Sequence, residues 1–153
     1  MGTEHVGAYD KAGYHYDEVK SLKLPKEHAY HHTTFFLSWL IDNDLTSHWF
    51  NTEAASQLKK LREKKTSVNK LYEWWDCCLI DDMLSEDGNA FAMHYFDFER
   101  GRYIHDYIET LQGRLPSEFH VVYTEDSYQK MRQVIDRRYA EWKTPKKKGW
   151  RPF

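Results

Sequence analysis

Residues 25–45 read PKEHAYHHTTFFLSWLIDNDL, and this stretch decides the fold class. Ala29, His32, Phe36, Trp39, Leu40 and Asn43 recur near the i, i+3, i+4 and i+7 positions of one helical face. Phe35, Leu37 and Ile41 widen that stripe, so the helix is expected to be covered on more than one side. Pro25 suits a first helical turn, where its missing N–H would have no intrahelical partner. Glu27 sets a negative charge near the positive end of the helix dipole. The reading is a central helix over about 25–45, with the other elements packed around it.

Working outward, residues 1–8 read as irregular, and YDKAGYHY at 9–16 as an extended arm laid over the core. On the other side, Thr52 is the expected N-cap of a second helix with Ala54, Ala55, Leu58 and Leu61 on its apolar face. Its basic end, Lys59 to Lys65, suits a helix C-terminus and lacks the interleaved aromatics of a nucleic-acid surface. Ser67 opens a third helix whose stripe is Val68, Leu71, Tyr72, Trp75, Cys78 and Leu79. DDMLSEDG at 81–88 breaks it as a loop, within which Ser85 caps a short helix carrying Phe91, Ala92, Tyr95 and Phe98. Tyr103, Ile104, Tyr107, Ile108 and Leu111 continue helical spacing to Gly113. FHVVY at 119–123 is the strand candidate, and the 9–16 arm its expected partner. Thr124 caps a last helix whose buried face is Tyr128, Met131, Ile135, Tyr139 and Trp142. The fold class is therefore mainly α: one compact multi-helix domain over 1–153 around the central helix, with one or two short β-strands and irregular ends at 1–8 and 144–153.

A chain of 153 residues can bury a proper core. With 22 basic and 24 acidic side chains the net charge is −2, so no global field favours nucleic acid. Mean hydropathy is −0.85 and no apolar run is long enough for a membrane span. The N-terminus lacks the basic and apolar regions of a secretory signal, and the only cysteines, Cys77 and Cys78, are chain neighbours that rarely bridge. Together these place the expected site of action in the cytoplasm, with both thiols reduced. Aromatic residues make up 16% of the chain, which demands either a core built of rings or an aromatic binding surface.

Charge is unevenly distributed. Residues 76–109 carry nine acids against Arg100 and Arg102, and residues 129–151 carry nine bases against Asp136 and Glu141. The two regions either neutralise each other within the fold or leave an acidic surface facing a basic partner.

His28 and His32 stand four apart, the helical spacing that lets two imidazoles share a metal. His94, Asp97, His105 or Asp106 could add a third ligand. There is no HExxH, CxxC, GxSxG or Gly-rich phosphate loop. The acidic pairs Asp81–Asp82 and Glu86–Asp87 are sufficiently explained as a solvated turn, with a hydrolase acid/base pair as the alternative. No enzyme activity and no cofactor is expected.

Several segments taken in order carry a resemblance: YDKAGYHY at 9–16, LP at 24–25, HHTTFFLSWLI at 31–41, EDGNAFAMHYF at 86–96, YIHDY at 103–107, and FHVVYTEDSY with IDRRYAEW across 119–142. The chain resembles a bacterial domain of unknown function, and such proteins are similar to the immunity proteins encoded beside polymorphic or secreted toxins. The resemblance implies a cytosolic protein that binds and neutralises a cognate toxin; from charge and hydropathy, no nucleic-acid or membrane partner is expected. Contact is expected through acidic and aromatic groups, with Asp81, Asp82, Glu86, Asp87, Asp97 and Glu99 facing a toxin that is basic at the interface. The alternative is a small enzyme or metal-binding protein using His28, His32 and the acidic loop 81–87.

Overall fold

A computed structural model describes residues 7–144. At its centre lies α2 (His31–Asp42), in which every residue from His31 to Leu40 is buried. This is why its apolar stripe is so wide: the helix has neighbours on all sides, with α5 (Val68–Trp74) and α8 (Glu125–Lys143) among those packed against it. The expected 25–45 helix is shorter at both ends and interrupted. Pro25 precedes a separate 3-10 turn, Lys26–Ala29, and Tyr30 (φ −125°) breaks the chain before α2 begins.

The expected mainly α class holds, with one small sheet. Strand β1 (Ala8–Lys11) pairs antiparallel with β2 (Cys78–Ile80), in the register Ala8↔Ile80, Asp10↔Leu79 and Lys11↔Cys78. A bulge between Ala8 and Asp10 takes up Tyr9, and Asp10 is completely buried. Residues 119–123 do not supply the partner strand. Glu118–His120 is a 3-10 turn, and the backbone carbonyls of Phe119 and Val121 accept from histidine side chains of the central region instead.

Cys78 and Leu79 leave the third helix because α5 stops at Trp74. Asp76 (φ 76°) and Cys77 (φ 53°) then turn the chain through left-handed conformations without a glycine, at a cost of order 1–2 kcal/mol each. The turn is held by Cys77 N–H to the Tyr72 carbonyl (2.8 Å) and by Ala12 N–H to the Cys77 carbonyl (3.0 Å). The second bond ties the N-terminal arm to the same turn.

The other helices follow their caps with two corrections. Thr52 lies inside α3 (His48–Glu53), whose N-cap is Ser47, and α4 (Ala55–Arg62) follows it. Glu86 and Asp87 are not loop residues; they form the first turn of α6 (Glu86–Tyr95), with Ser85 accepting from Gly88 N–H (3.0 Å). Gly88 is required there, since a Cβ would stand 2.4 Å from the Leu45 carbonyl oxygen. Ser67 and Thr124 cap α5 and α8 as expected. α1 (Tyr16–Ser21) follows the N-terminal arm, and between α6 and α8 run α7 (Tyr103–Tyr107) and a π-helical turn at Ile108–Gln112.

Rings from α2, α6 and α7 form much of the core. Phe36 stacks on Phe96 (4.7 Å between centroids), Trp39 meets Phe91 (5.4 Å), and Tyr95, Tyr103 and Tyr107 are buried beside them. The expected irregular ends, 1–8 and 144–153, lie largely outside the described residues, although Ala8 already belongs to β1. No helix among the described residues is long and apolar enough to cross a membrane.

Candidate functional site

Two features stand out from the core. The first is buried. Asp10 on β1 accepts from His15 Nε2 (2.7 Å) through Oδ1, and from His32 Nε2 (3.0 Å) and Thr33 Oγ1 (2.5 Å) through Oδ2. The arm brings in Asp10 and His15, while α2 supplies His32 and Thr33. Burial alone would raise the Asp10 carboxyl. Hydrogen bonds from His15 and His32, and their charge, outweigh that and hold it well below the usual carboxylate range. The two imidazole rings lie 4.8 Å apart at 79°, with Phe98 and Phe119 against both. His15 keeps 19% of its side chain exposed; His32 keeps only 4%.

The pair offered as the alternative metal site, His28 and His32, does not lie on one helix. His28 sits in the 3-10 turn before α2, so the four-residue spacing to His32 does not span one continuous helix. His28 Nδ1 donates to the Phe119 carbonyl (2.6 Å), and His31 Nδ1 to the Val121 carbonyl (3.2 Å). Burial lowers the His31 pKa to about 4, against the opposing pull of its bond to Val121. Asp106, offered as a third ligand, is occupied elsewhere: it accepts from Tyr95 (2.6 Å) and from both Nε (2.9 Å) and Nη2 (3.1 Å) of Arg138. Asp97 pairs with Arg100 (3.2 Å). Among the described residues, the grouping that could hold a metal is Asp10, His15 and His32, with one donor atom from each lying within 4.8 Å of the others.

The second feature is at the surface. Trp49 on α3 and Trp74 at the end of α5 are 46% and 51% exposed. Half-buried Trp75 stands between them, 5.4 Å from Trp49 and 5.9 Å from Trp74. A short turn at Asp81–Met83 packs on α3 and is tied to it by Ser47 Oγ donating to the Asp82 carbonyl (2.6 Å). Asp82, Asp76 and Glu73 are exposed.

The six expected contact acids are not one patch. Asp81 and Asp82 lie in the turn before α6, and Glu86 and Asp87 open that helix. Asp97 and Glu99 follow its far end, and ten helical residues span about 15 Å. Asp81 accepts from Gly7 N–H (3.0 Å). Asp87 pairs with Lys143 (2.9 Å) and accepts from Tyr139 (3.1 Å), which lowers its carboxyl pKa. Thus the acidic stretch and the basic last helix neutralise each other in part, through Asp87–Lys143 and Asp106–Arg138. The tryptophans are not among the contact residues expected from the sequence. Their signal was Trp74, an indole standing off the Val68–Leu71–Tyr72–Trp75 stripe of its own helix.

The family described as "Domain of unknown function (DUF7832)" matches residues 8–121, most of the chain. The chain belongs to this family. The DUF7832 span contains the Asp10–His15–His32 cluster, the three clustered tryptophans and all six acids, and it ends before α8. Lys143, Tyr139 and Arg138, which engage Asp87 and Asp106, therefore lie outside the matched span. No curated protein matches the chain, and no solved structure does.

Proposed function

We propose that this protein acts by recognition: it binds a basic surface on another protein, and the partner is a toxin that it neutralises as an immunity protein does. The observation that carries the reading is the exposed indole group of Trp49 and Trp74 around Trp75, with Asp82 on the adjoining turn. Tryptophans are among the residues that concentrate binding energy at interfaces, and exposed large rings beside acids suit a partner with apolar and cationic groups. Relative to the six acids first considered, the contact surface contracts to Asp82 and its neighbours with the tryptophans; Asp87 is engaged by α8.

The test is to express the product of the gene adjacent to its own, measure its toxicity with and without co-expression of this protein, and follow with binding kinetics on the purified pair. Growth should be rescued, and association should slow as salt rises past the roughly 10 Å screening length at 0.1 M. Trp74→Ala should raise the dissociation rate by about tenfold or more, the effect of at least 1.4 kcal/mol at a hot spot. Asp82→Lys should chiefly slow association. Absence of rescue, or rates indifferent to salt and to both substitutions, would overturn the proposal.

A further inference from the structure

We infer that Asp10, His15 and His32 form a binding site for a divalent transition-metal ion, with zinc the best match to the donors. Two imidazole nitrogens and one carboxylate oxygen are a donor set that zinc accepts, commonly as three protein ligands with a fourth position open. Tetrahedral bonds of about 2.0–2.1 Å set neighbouring donors about 3.3 Å apart. Asp10 Oδ1 lies 2.7 Å from His15 Nε2 and Oδ2 lies 3.0 Å from His32 Nε2, and one donor atom from each of the three residues lies within 4.8 Å of the others. Seating an ion therefore takes side-chain movements of up to about 1.5 Å at the widest pair of donors. Each imidazole Nε2 gives up its hydrogen bond to Asp10 for a metal bond, its proton passing to solvent from an imidazolium or to Nδ1 of a neutral ring, and one Asp10 oxygen completes the set.

The surroundings are those of a prepared site. Thr33 Oγ1 fixes one carboxylate oxygen, as outer partners of metal ligands do. His32 lies in the buried His31–Leu40 stretch of α2, and its carbonyl is pinned by the Tyr103 hydroxyl (2.6 Å). His15, the half-buried member, leaves a route from solvent beside Phe98.

The test is titration of tag-free, chelator-treated protein with zinc chloride, followed by calorimetry, with cobalt(II) absorption reporting the coordination geometry. One ion per chain is expected, with a tetrahedral cobalt spectrum. Thr33→Val should weaken binding about 10–100-fold, and His15→Ala by more. His15 keeps 19% of its side chain exposed, the more of the two histidine ligands, and circular dichroism checks that its variant folds; the Cys77→Ser, Cys78→Ser double variant should bind as the parent does. Failure of the folded parent to bind zinc, unchanged affinity in His15→Ala, or loss of binding in the double cysteine variant would each overturn the inference.

Discussion

Replacing Trp39 tests the architecture at its centre. The side chain is fully buried, with Phe91 at 5.4 Å, Tyr139 at 5.2 Å and Phe36 at 6.0 Å, and its Nε1–H donates to Asp136 Oδ1 (2.8 Å). Trp39→Ala removes the ring from contact with α6 and α8 at once, and should cost about 3–5 kcal/mol. That is a large share of the roughly 5–15 kcal/mol that stabilises a typical domain. Trp39→Phe keeps much of the burial but loses the hydrogen bond and some volume, so about 1–2 kcal/mol is expected. Asp136→Ala should cost less again, about 0.5–1 kcal/mol, because Asp136 is 45% exposed and largely solvated. Urea unfolding followed by circular dichroism, analysed only where the slope of free energy against denaturant is unchanged, gives all three values. A loss below about 1 kcal/mol for Trp39→Ala would refute its role as the packing centre. An Asp136→Ala cost equal to that of Trp39→Ala would show that the hydrogen bond, not the ring, matters.

Two further perturbations separate the polar contacts of the core. His31 prefers to be neutral in the folded chain, with its pKa lowered to about 4 against about 6.5 unfolded. Its contribution is therefore complete above the unfolded pKa and declines as pH falls toward 4, by about 1.4 kcal/mol per unit over most of that window. His31→Gln should flatten the stability profile between pH 6 and 5 by about that slope; parallel profiles for parent and variant in urea titrations would count against it. At the other end of the core, Arg138→Ala leaves the buried Asp106 carboxylate without its two-pronged partner and should cost about 3–5 kcal/mol. Asp106→Asn leaves Arg138, 26% exposed, able to reach water, and should cost less, about 2–3 kcal/mol. The reverse order in thermal or urea unfolding would show that the pair is not desolvated as its burial implies.

Local rules made the helices legible. The wide apolar run of α2, the caps at Ser67, Ser85 and Thr124, and the spacing along α8 each depend on residues three or four apart, so they can be read without knowing what packs where. Breaks that carry no glycine or proline signal escaped the same reading. The chain leaves α5 through Asp76 and Cys77 because tertiary bonds to Tyr72 and Ala12 hold the turn, and only that turn makes Cys78–Ile80 a strand. The FHVVY segment had strand composition, yet histidines some 90 residues away supply its hydrogen-bond donors. Acidic character was visible in the sequence, but its division between a solvated turn and the ion pairs of α8 depends on how α6 meets that helix. The Asp10–His15–His32 cluster depends on tertiary structure most of all. Its members come from the arm and the central helix, and a β-bulge with an unannounced strand partner is what brings a carboxylate to two imidazoles in the interior.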